Sequence, residues 1–191
     1  MRTILRHLFP KTVLVLALSL MLLLSLQACQ KKTPPPPGTA PETSKGSAPS
    51  MGQAAPLFQT QDYTGKAFNL KDYQGKVVFL DFFATWCPPC RAEIPALEKL
   101  HQAYGSQGLT MVGISAESGD KVLPFTKTMG MSYTVLQGSP ELFTTYGVSS
   151  IPAGFLLDKS GKIVYTAVGF GPGEDAKIEA AIKSALAGKV S

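Results

Sequence analysis

The run Lys76-Val77-Val78-Phe79-Leu80-Asp81-Phe82-Phe83 is apolar at odd and even positions alike, interrupted by a single carboxylate. Successive strand side chains point to opposite faces, so a strand that is apolar on both must be covered on both. That is the condition of a central strand in a layered sheet. Residues 88–104 follow with Ile94, Leu97 and Leu100 spaced for one buried helical face, ending near Gly105. A buried strand feeding directly into a helix fixes the start of an α/β architecture.

The segments on either side extend this pattern. Asp62-Tyr63-Thr64-Gly65 predicts a turn between short extended pieces around Leu57-Phe58 and Ala67-Phe68. Residues 109–115 read as the next strand, 120–129 as a helix, 133–136 as a weak strand and 140–146 as a short helix. Residues 155–158 and 163–168 flank Lys159-Ser160-Gly161-Lys162, a hairpin-turn signal, and 174–186 closes the chain as an amphipathic helix. The order predicts one α/β domain over 53–191. Its central mixed sheet has a parallel βαβ portion and a terminal antiparallel hairpin, with helices on both faces making three layers and an N-terminal extension before them.

The chain's N-terminal part has a different composition. Residues 1–28 combine a basic start, Arg2, Arg6 and Lys11, with the 14-residue run VLVLALSLMLLLSL broken only by Ser19 and Ser25. A spanning helix needs about 20 apolar residues, so this length suits a signal peptide better than a permanent anchor. The run ends in Leu26-Gln27-Ala28-Cys29, which resembles the bacterial lipobox. That resemblance implies cleavage before Cys29, its acylation, and a lipid-anchored protein whose domain lies in the periplasm or extracytoplasmic space of the cell envelope. Residues 29–52 hold Pro34 to Pro37, Pro41 and Pro49 among small polar residues, the composition of a disordered or polyproline-like spacer. The formal charge of +5 belongs to leader and linker, because from Met51 onward 12 Lys/Arg face 12 Asp/Glu. Nucleic-acid binding therefore has no electrostatic footing in the domain.

Two of the three cysteines remain for chemistry: Cys87 and Cys90 in Trp86-Cys87-Pro88-Pro89-Cys90, between the buried strand and the long helix. Prolines are tolerated in a first helical turn, where amides are unpaired anyway, which places Cys87 at the helix N-terminus. There the positive end of the helix dipole favours a thiolate. Cys90 follows one turn deeper, close enough to close a disulfide. An outer thiolate that attacks and an inner thiol that resolves make a thiol–disulfide exchange pair, with no cofactor beyond the disulfide itself. Pro88 and Pro89 carry no amide hydrogen, so fewer donors face Cys87 than in motifs with free amides there. This leaves the thiol only mildly acidified and suits a reductase.

The segment Phe82-Phe83-Ala84-Thr85-Trp86-Cys87-Pro88-Pro89-Cys90 resembles the active-site segment of the thioredoxin superfamily, specifically its membrane-tethered TlpA/ResA type. The likeness spans roughly residues 53 to 189. Pro95 matches the proline that bends the active-site helix, and Ile151-Pro152 matches the family's cis-proline, whose preceding residue pairs with substrate through its backbone. The usual Thr after that proline is Ala153 here. Asp81, flanked by apolar residues, occupies the position of the buried acid of thioredoxin, where many TlpA/ResA relatives carry Asn. In that place desolvation raises its pKa and it accepts the proton of Cys90; the alternative is a strand-end carboxylate facing solvent. Glu93 matches a glutamate of the ResA type that tunes the cysteines; the alternative is a solvated helix carboxylate. The resemblance implies reduction of protein disulfides, in cytochrome c maturation with apocytochrome c as substrate or in disulfide repair. Electrons would come from a membrane donor of the DsbD/CcdA kind.

Three rivals meet specific residues. A structural zinc site usually has four ligands, and outside the leader only His101 could join the cysteine pair. A peroxiredoxin-like peroxidase is suggested by Ala55-Pro56-Leu57-Phe58 through Gly65-Lys66. However, such enzymes place Thr three and Pro seven residues before the peroxidatic cysteine, where this chain has Ala84 and Leu80. Against a non-catalytic scaffold stands the intact cysteine pair.

Overall fold

The computed structural model describes residues 48–189. Cys29, the leader and most of the linker lie outside them. Two short strands open the domain, β1 (Gln59–Gln61) and β2 (Ala67–Asn69), paired antiparallel around the Asp62–Gly65 turn. Asp62 Oδ1 accepts from the Thr64 amide and hydroxyl and from the Lys66 amide, closing that turn. A 3-10 turn, Leu70–Tyr73, leads on to β3 (Val77–Phe82), whose six residues are all buried.

The elements after β3 are α1 (Pro88–Tyr104), β4 (Leu109–Ser115), α2 (Gly119–Met129), β5 (Thr134–Gln137) and α3 (Pro140–Thr145). β6 (Ala153–Leu157), β7 (Ile163–Val168) and α4 (Glu174–Leu186) complete the order. The sheet runs β5-β4-β3-β6-β7, with β3, β4 and β5 parallel and β6 and β7 antiparallel. The thioredoxin-like mixed sheet expected from the sequence is therefore the observed one, with β3 at its centre. Strand β6 begins two residues earlier than the apolar run predicts, because Ala153 and Gly154 pair with Phe82 and Asp81. The hairpin strand lies at 59–61 rather than at Leu57-Phe58, since Phe58 turns inward to stack on Phe68. The 3-10 turn carries no periodicity long enough to read in advance.

Alternation along β3 divides the core. Val78, Leu80 and Phe82 pack with Phe58, Phe68, Tyr146 and Phe155 beneath the N-terminal hairpin and α3. Val77 and Phe79 pack with Leu97, Leu100, Ile178 and Ile182 of α1 and α4, and Phe83 packs with Ile94, Val122 and Phe125 of α1 and α2. Both faces are covered, as a strand with no solvent-facing side requires. Three helices cover the active-site side, and one short helix with the hairpin covers the other. Asp81 lies on the three-helix face, registered between Gly113 and Gly154. A Cβ on Gly154 would come within 2.6 Å of the Phe79 ring, so glycine at this position lets that ring lie over β6.

Candidate active site

The loop after β3 delivers the cysteines. Cys87, with extended dihedrals of φ −84° and ψ 111°, is the N-cap of α1, and Pro88 and Pro89 occupy its first two positions. Its sulfur accepts from the Cys90 amide at 3.3 Å, the side-chain-to-third-residue bond of an N-cap. That amide is the first available donor, because the two residues before it have none. Cys87 and Cys90 are joined as a disulfide with Cα atoms 5.3 Å apart. Cys90 is wholly buried and Cys87 nearly so, while Trp86 is 70% exposed beside them.

Opposite the disulfide lies the turn into β6, where the Ile151–Pro152 peptide is cis. Cys87 Sγ lies 3.7 Å from the Ile151 carbonyl oxygen, and the Gly169 amide donates to the Pro152 carbonyl at 2.8 Å. The residues expected from the sequence at Trp86, Cys87, Pro88, Pro89, Cys90, Ile151 and Pro152 are thus brought together around the disulfide, with Trp86 and Pro88 exposed and Cys90 and Pro152 buried. Pro95 sits inside α1, exposed, leaving the Arg91 carbonyl without its helical donor.

Asp81 and Glu93 lie in the interior. Asp81 is wholly buried and Glu93 is 1% exposed, and none of their four carboxyl oxygens has a hydrogen-bond partner. The solvent-facing alternative for each is therefore excluded. Burial pushes Asp81 up to about 7. Burial, reinforced by the charges of Asp81 and Glu174, pushes Glu93 up to about 9. Buried Tyr133, whose hydroxyl is likewise unpartnered, is held well above the usual phenol range by burial and then by the charges of Asp81, Glu93 and Glu98.

Sequence reasoning missed Glu117. It stands in the loop between β4 and α2, and its carboxylate accepts from the Thr85 amide at 2.6 Å and the Thr85 hydroxyl at 2.9 Å. Arg91 Nη1 donates to the Thr85 carbonyl at 3.3 Å. A signal for it existed: in a parallel sheet the loops after neighbouring strands lie together at the carboxyl edge, and β4 neighbours β3. Ala84 and Leu80 are both buried, Leu80 on the opposite face of the sheet, so neither position offers the hydroxyl or proline of a peroxidatic site. Among the described residues no group of three or more His, Cys, Asp or Glu could hold a metal ion, and no helix is long and apolar enough to cross a membrane.

Comparison with known proteins agrees with this geometry. Residues 51–166 match the AhpC/TSA family. The chain is similar to the thiol-disulfide oxidoreductase ResA of Bacillus cereus (strain ATCC 10987 / NRS 248), 37% identical over 123 residues covering 63% of this chain and 71% of that protein. It is similar to the protein of the same name from Bacillus subtilis (strain 168), 37% identical over 122 residues covering 63% and 68%. Among solved structures, a thiol:disulfide interchange protein of the thioredoxin family from Chlorobium tepidum TLS superposes with a TM-score of 0.64 at 35% identity, covering 73% of this chain and 99% of that one.

Proposed function

This chain belongs to the AhpC/TSA family and stands with its ResA-like thiol-disulfide oxidoreductases, and from that premise we propose that it reduces disulfides of proteins in the cell envelope. Its chemistry is thiol–disulfide exchange through Cys87 and Cys90. The carrying observation is the pair's placement: a disulfide at a helix N-terminus, facing a cis-proline turn, with exposed Trp86 at its rim.

In the reduced chain, the Cys87 thiolate attacks one sulfur of a substrate disulfide, forming a mixed disulfide and releasing the other substrate sulfur as a thiolate. Cys90 then gives its proton to Asp81 and attacks Cys87. This re-forms the Cys87–Cys90 bond and releases the second substrate thiolate, which takes up a proton. Two electrons pass from the chain to the substrate. Asp81 suits the role because burial brings it to about 7, where a carboxylate both accepts and returns a proton near neutral pH. Glu93 tunes the pair by opposing a second buried charge. The Ile151 backbone and Pro152 receive the substrate chain beside Cys87.

The leader, the lipobox-like Leu26-Gln27-Ala28-Cys29 and the proline-rich spacer support a lipoprotein anchored by Cys29, with its domain in the extracytoplasmic space. Apocytochrome c or misoxidised envelope proteins are the substrates this placement suits, and a membrane dithiol donor of the DsbD/CcdA kind returns the oxidised pair to the dithiol.

The test is equilibration of the protein with defined thiol buffers. A reduction potential near or below about −250 mV, thioredoxin-like, supports a reductase, and one nearer about −120 mV makes the chain a disulfide donor and overturns the proposed direction. Trapping with Cys90→Ser checks the order of attack: a mixed disulfide through Cys87 is expected, and trapping only in Cys87→Ser would reverse the two roles. Cys29→Ser checks the anchor by releasing the protein from the membrane fraction.

A further inference from the structure

We propose that Glu117 is a positioning residue for the exchange reaction, a brace whose carboxylate holds the Thr85–Trp86 segment so that Cys87 meets an incoming disulfide in one geometry. The inference rests on the exchange chemistry above and goes beyond the cysteines, the buried acids and the cis-proline turn.

Three observations carry it. First, every polar group of Thr85 is occupied: its amide and hydroxyl by the two oxygens of Glu117, at 2.6 and 2.9 Å, and its carbonyl by Arg91 at 3.3 Å. A carboxylate accepting two parallel donors fixes orientation as well as distance, which one bond would not do. Thr85 lies two residues before Cys87, in the stretch with neither strand nor helix pairing to hold it. Second, the loop carrying Glu117 is itself held. The Tyr63 hydroxyl lies 2.8 Å from the Ser115 carbonyl oxygen and 2.7 Å from that of Glu117, its single proton shared between them. Gly119 makes room for this contact, since a Cβ there would meet the Tyr63 ring at 3.2 Å. Tyr63 belongs to the N-terminal hairpin, so the brace runs from hairpin to loop to active-site segment. Third, Trp86, the residue after the braced threonine, is 70% exposed. Its backbone is thus positioned from Thr85, while its side chain is left open to solvent. The bidentate contact replaces water at a partly buried loop, where an unpaired amide would be costly.

Trp86 is the chain's sole tryptophan, so its fluorescence reports on the braced segment directly. The experiment compares the full-length chain in detergent with Glu117→Ala, Glu117→Gln and Thr85→Val. It measures Trp86 anisotropy, thermal unfolding, and steady-state reduction of a disulfide-bridged peptide with dithiothreitol as electron source. Glutamine can keep both contacts, its carbonyl accepting from the Thr85 amide and its NH2 donating to the hydroxyl. Valine removes only the hydroxyl bond. The expected order of Trp86 anisotropy is wild type and Glu117→Gln highest, Thr85→Val lower, Glu117→Ala lowest. For Glu117→Ala, kcat/KM for the peptide falls roughly 10-fold through misplacement of the attacking sulfur, with rescue in Glu117→Gln.

Unchanged anisotropy and unchanged kcat/KM in Glu117→Ala would overturn the brace. So would equal impairment in Glu117→Gln, which would make charge and not geometry the agent. Should Glu117→Ala fail to fold, Thr85→Val decides: anisotropy equal to wild type overturns the assignment. A wild-type chain inert toward the peptide sinks the exchange chemistry and the assignment with it, whereas an active wild type with an indifferent Glu117→Ala sinks the brace alone.

Discussion

Helix α1 carries two buried glutamates five residues apart, and the fold treats them in opposite ways. Glu98, 8% exposed, accepts from the Ser132 amide at 2.8 Å, from the Ser132 hydroxyl, and from Gln102 Nε2 at 2.8 Å. Burial pushes its carboxyl upward, but these hydrogen bonds outweigh it and hold the group below the ordinary carboxylate range. Glu93, 1% exposed, has no such partner and faces a second unpartnered acid, Asp81, so burial and like charge both push it up. Burial alone therefore does not set what a carboxylate does. A satisfied buried charge ties α1 to the turn before β5, while an unsatisfied one is left to gain and lose a proton. Tyr133 stands between the two regions and feels all three carboxylates.

The contrast is broken most decisively at the unsatisfied end. Asp81→Asn keeps the shape and removes the proton acceptor, so the step in which Cys90 resolves the mixed disulfide should slow by about 100-fold near neutral pH. Stopped-flow mixing of the reduced chain with a peptide disulfide, following Trp86, separates this step from the initial attack. An Asn variant that resolves at the wild-type rate would leave Asp81 a structural relic.

At the satisfied end the expected effect is smaller and of another kind. Glu98→Ala leaves the Ser132 and Gln102 donors without their acceptor and should cost about 2 kcal/mol of stability. Its exchange rate per folded molecule should match wild type. Denaturant unfolding beside a turnover assay checks both, and a loss of turnover with intact stability would extend the chemical region along the helix to Glu98.

The pH dependence of stability sharpens the same comparison, because the signs are opposite. Folded Asp81 and Glu93 keep protons that the unfolded chain has released, so their contribution is full below 3.8 and 4.5. It is lost as pH rises through about 7 and about 9. While a group is protonated only in the folded state, it lowers stability by up to about 1.4 kcal/mol per pH unit. Glu98, depressed when folded, contributes above 4.5 and loses that contribution as pH falls through its folded value. Urea unfolding across the range should show stability falling toward alkali in wild type and a flatter curve in Glu93→Gln. A wild-type curve that stays flat above 4.5 would mean the buried pair is ionised when folded.

Most of this architecture was legible in the chain. The doubly apolar β3, the helix of 88–104 and the hairpin turn at 159–162 each carry a local signal that matches the global fold, and local consistency of this kind lets a sequence specify a structure. The cysteine pair was legible for the same reason, and the cis-proline turn through the family resemblance carried by Ile151-Pro152. What could not be read were the pairings of single polar residues across distant segments. Glu117 meets Thr85 across 32 positions and Glu98 meets Ser132 across 34, and no periodicity marks either. Nor could the sequence decide between a solvated and a buried Glu93, because one carboxylate on an amphipathic helix reads the same until the helix is rotated against its neighbours. Asp81 was more readable only because its strand has no outward face.

The smallest expected effect lies at the disulfide itself, where a donor can be added rather than a carboxylate removed. Cys87 Sγ receives one amide, from Cys90 at 3.3 Å, since Pro88 and Pro89 have none to give. Pro89→Ala restores an N–H at the second helical position, one of the two that an N-cap side chain accepts from. A donor aimed at the sulfur stabilises the thiolate more than the disulfide, which favours the reduced form and makes the potential less negative. The expected shift is about 20 mV, or ~0.9 kcal/mol for a two-electron couple. Because Asp81 and Glu93 are untouched, the resolution rate and its pH profile should stay where they were. A shift of the opposite sign would mean that the prolines act by stiffening the turn rather than by withholding amides. The reducing character of the site would then reside in its buried acids.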